Sequence, residues 1–236
     1  MKIKFYLRRK FIEFSKYYIF KLNHLPIGTD LEIDIKYKLK IEPKTIFDVG
    51  ANYGQTALFY TAIFPKASIY SFEPVLSSFN KLKENTQLSK FIHNYHLALG
   101  SQNENVYINI LSEAQSQLNS LKNQIIENSP KEHIIVKKTD TFCQENNIQH
   151  IDLLKIDTEG FELEVLYGAL EMIQKGAISL ILCEVSLSST NIHNSKLTDI
   201  IEFLFKYNYC IIGFYETNIN HIPNGNIYSN ILFKKL

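Results

Sequence analysis

The feature that most restricts this chain is the rhythm that begins at Thr45, where short apolar runs alternate with helix-length amphipathic stretches almost to the end. Residues 45–49 read as a strand, 55–64 as a helix stopped at Pro65, 68–72 as a strand and 75–88 as a second helix. Then come a third strand at 91–99, an extra strand at 106–111, and a short strand at 134–138 feeding a helix at 141–146. Strands at 151–156 and 178–185 are each followed by a helix, at 162–174 and 196–207. Such alternation calls for a parallel sheet whose crossover helices cover both faces. The last two runs, 209–215 and 227–233, are joined through Pro223 and Gly225 with no room for a crossover helix, so that pair is antiparallel.

Residues 1–27 form a leader of a different kind. Lys2, Lys4, Arg8, Arg9, Lys10, Lys16 and Lys21 face one acid, Glu13, and the remainder of the chain carries 18 basic and 23 acidic residues. Phe11, Phe14, Tyr18 and Leu22 give the leader an apolar helical stripe, which either packs on a domain or lies on an anionic membrane surface through residues 1–24. Residues 28–236 form the main domain. A variable insert around 101–138 includes the polar stretch 112–132, either a lid or surface padding.

With a net charge of +1 there is no overall basic field, which argues against nucleic acid as a partner. Cys143, Cys183 and Cys210 show no CxxC spacing and read as buried small hydrophobes in a reducing compartment. No stretch approaches the ~20 apolar residues of a spanning helix. The expected location is cytoplasmic, with peripheral contact to the inner membrane face if the leader binds lipid.

Three segments carry chemistry. The first is Asp48-Val49-Gly50-Ala51-Asn52-Tyr53-Gly54, a turn from the first strand into a helix. Gly50 and Gly54 do not make a G-x-G-x-x-G pyrophosphate cradle, and an acid at the strand end suits a cationic ligand better than two phosphates. S-adenosylmethionine, with its ammonium and sulfonium, fits that sign. Alternatively, Asp48 caps the helix and Gly50 only turns the chain.

The second is Glu73, which ends the second strand 23 positions after Gly50, near the distance expected of a ribose-binding carboxylate. Pro74 after it favours an extended backbone there. The third is the segment from Asp152 to Glu162, whose strand delivers Asp157 and Glu159 to its carboxyl end, where open α/β sheets bind ligands. Lys155 sits inside this apolar strand and needs a partner; Asp157 and Glu184, the latter on the neighbouring strand, are the obvious choices.

These residues resemble the FkbM family of methyltransferases over about Gly28 to Phe233. Asp48 to Gly54 is similar to that family's cofactor loop, Phe72-Glu73-Pro74 to its second-strand acid, and Leu97-Ala98-Leu99-Gly100 to its third-strand exit. Asp152 to Gly160, running on to Leu166-Tyr167-Gly168-Ala169, resembles its most characteristic segment. Cys183-Glu184-Val185 and Asn230-Ile231-Leu232-Phe233 also match.

The resemblance implies a Rossmann-like seven-stranded methyltransferase fold and O-methylation, often of sugar hydroxyls in glycans or of natural products, without a required metal. The cofactor set is then Asp48, Gly50, Asn52, Gly54, Glu73, Pro74, Ala98, Leu99 and Asp157. Asp157 or Glu159 is the expected base or orienter, and Glu184 and Lys155 the expected holders of a small-molecule or glycan acceptor. The rival readings are a non-catalytic binding protein at the membrane surface and, further off, a nicotinamide-dependent oxidoreductase.

Overall fold

The computed structural model describes residues 2–17, 20–109, 131–191, 193–218, 225 and 227–236. They fall into two compact units, Met1–Ile41 and Glu42–Leu236.

In the first unit, α1 (Lys2–Ser15) is followed by a 3-10 turn at Leu22–His24 and by α2 (Leu31–Ile33), which runs into a π-helical turn at Asp34–Lys38. Lys16 takes a left-handed φ of 61° and ends α1, which cuts the expected apolar stripe. Phe11 and Phe14 share α1, Leu22 belongs to the separate turn, and Tyr18 lies outside the described residues. Glu13 pairs with Arg9 and Lys10 at 3.3 and 3.0 Å. Asp34 accepts the Gly28 N–H at 2.7 Å and pairs with Lys38, which closes the second turn.

The second unit runs β1 (Thr45–Val49), α3 (Gln55–Ile63), β2 (Ser68–Phe72), α4 (Leu76–Thr86), β3 (Ile92–Tyr95), β4 (Ala98–Leu99), β5 (Glu104–Asn109), β6 (Lys131–Lys137), α5 (Thr139–Glu145), β7 (Ile151–Ile156), α6 (Glu162–Gly168), α7 (Leu170–Gln174), β8 (Ile178–Ser186), α8 (Leu197–Phe205), β9 (Tyr209–Asn218) and β10 (Tyr228–Lys235). Seven strands form one sheet in the order β3-β2-β1-β7-β8-β10-β9. All of its neighbours pair in parallel except β10, which is antiparallel to β8 and β9. This is the expected layout: a mostly parallel Rossmann-like sheet closed by an antiparallel hairpin.

Both faces of the sheet are covered, as a parallel sheet requires. Phe47, Leu154, Ile156 and Ile181 point to one side, where Phe142 of α5, Val165 of α6, Ile173 of α7 and Leu204 of α8 complete a continuous core. Their strand neighbours Ile46, Leu153 and Leu180 alternate to the other side and are equally buried. The Phe142 ring stands edge-on to Phe72 and Tyr95, with centroids 4.9 and 4.8 Å apart, and so locks α5 onto β2 and β3.

Two elements depart from the sequence reading. The run 91–99 is not one strand: Ile92–Tyr95 pairs with β2, whereas Ala98–Leu99 leaves the sheet to pair with β6 in a second sheet of order β4-β6-β5. The helix expected over 162–174 breaks at Ala169 because a side chain from another element caps a new start. Asp140 of α5 accepts the N–H groups of Glu171 and Met172 at 2.9 and 3.0 Å. The extra strand expected at 106–111 is present as β5 up to Asn109, and the polar stretch reaches the described residues again only at Lys131.

Candidate active site

The sheet order reverses at β1, with β2 on one side and β7 on the other, so the loops leaving these strands splay apart and open a crevice. A cavity of about 460 Å³ lies there, at the carboxyl ends of β1, β2 and β7 and beside Glu184 of β8. That size is typical of a small-molecule site.

The loop after β1 is pinned to both neighbouring strands. The N–H groups of Gly50 and Ala51 donate to Phe72 O at 3.1 and 3.0 Å, and Asp157 N donates to Val49 O at 3.1 Å. Gly50 has a φ of 79°, and a Cβ there would lie 1.8 Å from Asp157 O, so the close approach of two strand exits requires this glycine. Gly54 serves packing instead: a Cβ on it would meet Leu82 and Thr86 of α4 at 2.8 and 2.9 Å.

Glu73 is 7% exposed and held rigidly. One carboxylate oxygen accepts the Asn52 N–H at 3.0 Å and the other the Val75 N–H at 2.9 Å. Burial pushes its carboxyl up to about 7, against the pull of those two backbone bonds. Each oxygen keeps a lone pair for a donor in the cavity.

Lys155 pairs with Asp48 at 3.2 Å and with Asp157 at 3.3 Å, and donates to Gly50 O at 3.4 Å. Desolvation favours the neutral amine, but Asp157 and Asp48 outweigh it and hold the lysine pKa above its ordinary range. This corrects the expected pairing, because Glu184 is not a partner of Lys155; Asp48 is, being its direct register neighbour across β1 and β7. Asp48 is fully buried behind the cavity wall, where its charge faces Lys155.

Glu184 instead accepts a 2.6 Å hydrogen bond from Asn194 Nδ2. Burial, then Asp157 and Glu159, push its carboxyl up to about 9. Glu159, with a left-handed φ of 53°, is raised to about 8 by burial and then by Asp157 and Glu162. Oxygens of Asp157, Glu159 and Glu184 all lie within 4.8 Å of one another. Carboxylates at that spacing can share a proton or a divalent cation.

Of the residues singled out in the sequence, Gly50, Asn52, Glu73, Pro74, Ala98, Leu99, Lys155, Asp157, Glu159 and Glu184 line this cavity, whereas Asp48 and Gly54 stand behind it. Val49, Ala51 and Phe72 of the same motifs also line it, and Gln55, Thr56, Ser78, Ile108, Thr158, Phe161 and Tyr228, to which sequence reasoning gave no role, complete the wall. Ile108 and Tyr228 come from β5 and β10, and no local pattern places either there. Glu162 carried a readable signal, an acid two residues after Gly160, but its role appears only in the folded chain.

Residues 48–211 match the sequence model of the Methyltransferase FkbM domain. The chain is 24% identical over 163 residues to Methyltransferase 1 of Beauveria bassiana, covering 60% of this chain and 66% of that one. It is 23% identical over 145 residues to the 2-O-methyltransferase NoeI of Sinorhizobium fredii, covering 55% and 59%. The match thus spans less than two thirds of either relative's own length. Among solved structures, a fibrillarin/Nop5p complex aligns with a TM-score of 0.50 at 12% identity over 82% of this chain and 73% of that one, a likeness of fold.

Proposed function

This chain belongs to the FkbM methyltransferase family, and from that premise we propose that it is an S-adenosylmethionine-dependent O-methyltransferase acting on a hydroxyl of a sugar, glycan or small metabolite. The observation that carries the reading is one cavity with a fixed, nearly buried carboxylate, Glu73, at one strand end and three converging carboxylates at the next two strand ends. Glu73 suits ribose hydroxyls, because its two oxygens are already aimed by backbone N–H groups. Gly50, Ala98 and Leu99 present backbone and small or apolar side chains to the same cavity, as a nucleoside requires. NoeI, by its name, methylates a 2-oxygen, and the oxygen acceptor is carried over from that relative as part of the proposal.

S-adenosylmethionine supplies an electrophilic methyl group, so the acceptor needs only correct placement and removal of one proton. Asp157, tied to Lys155, stays in the position from which it can orient the acceptor hydroxyl. Burial and neighbouring acids hold Glu159 and Glu184 well above the ordinary carboxyl range, at about 8 and about 9, so their charged forms are strong proton acceptors. Asp157, Glu159 and Glu184 would take up the proton that an acceptor hydroxyl loses as the cofactor's methyl group is transferred to its oxygen.

The test is a thermal-shift comparison of S-adenosylmethionine with NAD and NADP. At ~100 times its dissociation constant, S-adenosylmethionine is expected to stabilise the protein by roughly 2.7 kcal/mol. A shift with the nicotinamides alone would overturn the reading, and no shift with any of the three would favour a non-catalytic binding protein.

The leader supports a second, separate reading: peripheral contact with an anionic membrane. The exposed Phe14 lies on a helix whose sequence carries five bases and one acid. Among the described residues no helix is long and apolar enough to cross a membrane.

A further inference from the structure

Two of the cavity carboxylates are held from behind by a strap between β8 and α8 made of three buried residues, Asn191, Asn194 and Ser195, which are 3%, 7% and 6% exposed. Asn194 donates its Nδ2 to Glu184 at 2.6 Å, and its Oδ1 accepts Asn191 Nδ2 at 2.9 Å. Asn191 Oδ1 in turn accepts the His193 N–H at 2.9 Å. The His193 N–H can only donate, so it fixes the Asn191 amide and, through it, the Asn194 amide with Nδ2 towards Glu184.

The next residue turns the other way. Ser195 N donates to Glu162 Oε2 at 2.8 Å, and its hydroxyl donates to Gly160 O at 3.4 Å. Glu162 is fully buried, and its other oxygen accepts Thr158 N at 3.1 Å, Thr158 Oγ1 at 3.1 Å and Gly160 N at 2.8 Å. Those N–H groups flank Glu159, whose left-handed backbone is unfavourable for a side chain of that kind and persists only because the surrounding contacts hold it.

We propose that Asn194 and Glu162 are positioning residues for proton removal: through the strap of Asn191, Asn194 and Ser195 they fix Glu184 and Glu159 relative to each other, although neither lines the cavity. The inference rests on reading the cavity as the methyl-transfer site. The three carboxyls lie within 4.8 Å of one another and compete for protons, while Lys155, paired directly with Asp157, favours the charged form of both glutamates through space. Glu184 faces Asp157 and Glu159 from the loop after β7, and Asn194 is the polar side chain bonded to it from the strap. The strap therefore keeps the two glutamates within proton-sharing distance.

The experiment follows the carboxyl carbons of Glu159 and Glu184 by NMR in the full chain carrying 13C-labelled glutamate, with resonances identified by Glu159→Gln and Glu184→Gln. Asn194→Leu removes the hydrogen bond that favours the charged form of Glu184, so its midpoint should rise by about one pH unit. The Glu159 midpoint should stay where it is, because burial, Asp157 and Glu162 set it and Glu184 does not. General loosening of the region would admit water and lower both midpoints together. Parallel movement, or none, therefore overturns the proposal.

If Asn194→Leu does not fold, Asn191→Ala leaves Asn194 in place with its amide free to turn. It should raise the Glu184 midpoint alone, by less, and parallel movement or none again overturns the strap. Calorimetry with S-adenosylmethionine on the wild-type sample separates the two levels of the argument. Failure to bind would overturn the reading of the cavity, and with it the strap's part in methyl transfer, whatever the titrations give.

Discussion

Lys155 is 5% exposed and remains charged because two carboxylates stand within 3.3 Å of its amine. Replacing Asp157 with Asn keeps the shape and removes one of those charges, and Asp48 continues to hold the lysine. The Asp157→Asn protein is expected to bind S-adenosylmethionine within a few-fold of wild type by calorimetry, yet to lose most of its turnover in a radiolabelled methyl-transfer assay with the acceptor. Intact turnover would remove Asp157 from the chemistry. Glu73, Asp157 and Glu159 were legible as residues of the cavity wall because each follows an apolar strand, at the carboxyl end that faces the crevice. Asp48 satisfies the same rule yet stands behind the cavity: its partner in the next strand is a lysine, and that register is fixed by strand pairing across more than a hundred residues.

Among elements, the junction of α6 and α7 shows how one side chain sets a boundary. Asp140 is half-buried and caps α7 from α5, so Asp140→Ala should cost about 1 kcal/mol of stability. The expected result is a lower urea midpoint at unchanged slope, with S-adenosylmethionine affinity unchanged because the cap lies away from the cavity. A loss of affinity would mean that the cap also positions the site. The periodicity of 162–174 is continuous through this break, since both helices bury the same face, and so the pattern did not reveal it. The division of 91–99 was hidden for a related reason: Ala98 and Leu99 are apolar wherever they pair, and only the position of β6 draws them out of the main sheet.

At the scale of the molecule, three raised carboxyls link stability to pH. Glu73, Glu159 and Glu184 titrate at about 7, 8 and 9 when folded, against ordinary values of 4.5. The folded chain therefore keeps protons that the unfolded chain releases, and this share of stability is complete below about pH 4.5 and lost as pH rises through 7 to 9. Thermal melts of the free protein should be higher at pH 6 than at pH 9, and Glu184→Gln should flatten the fall between pH 7 and 9; a steeper fall in that variant would contradict the assignment. The leader is tested apart from this by sedimentation with anionic and neutral vesicles, where the full chain should co-sediment with the anionic ones and a form lacking residues 1–24 should not. Equal behaviour would retire the membrane reading. The sequence by itself determined the order of strands and helices, the closing antiparallel pair, and the carboxylates at the strand ends, because periodicity and the length of a connection are local properties of a chain. Only the tertiary structure decided that Asp48 answers Lys155, that β4 joins a second sheet, and that Asn194 and Glu162 stand behind the site, because these depend on which distant backbones lie side by side and on which buried polar groups must then find partners.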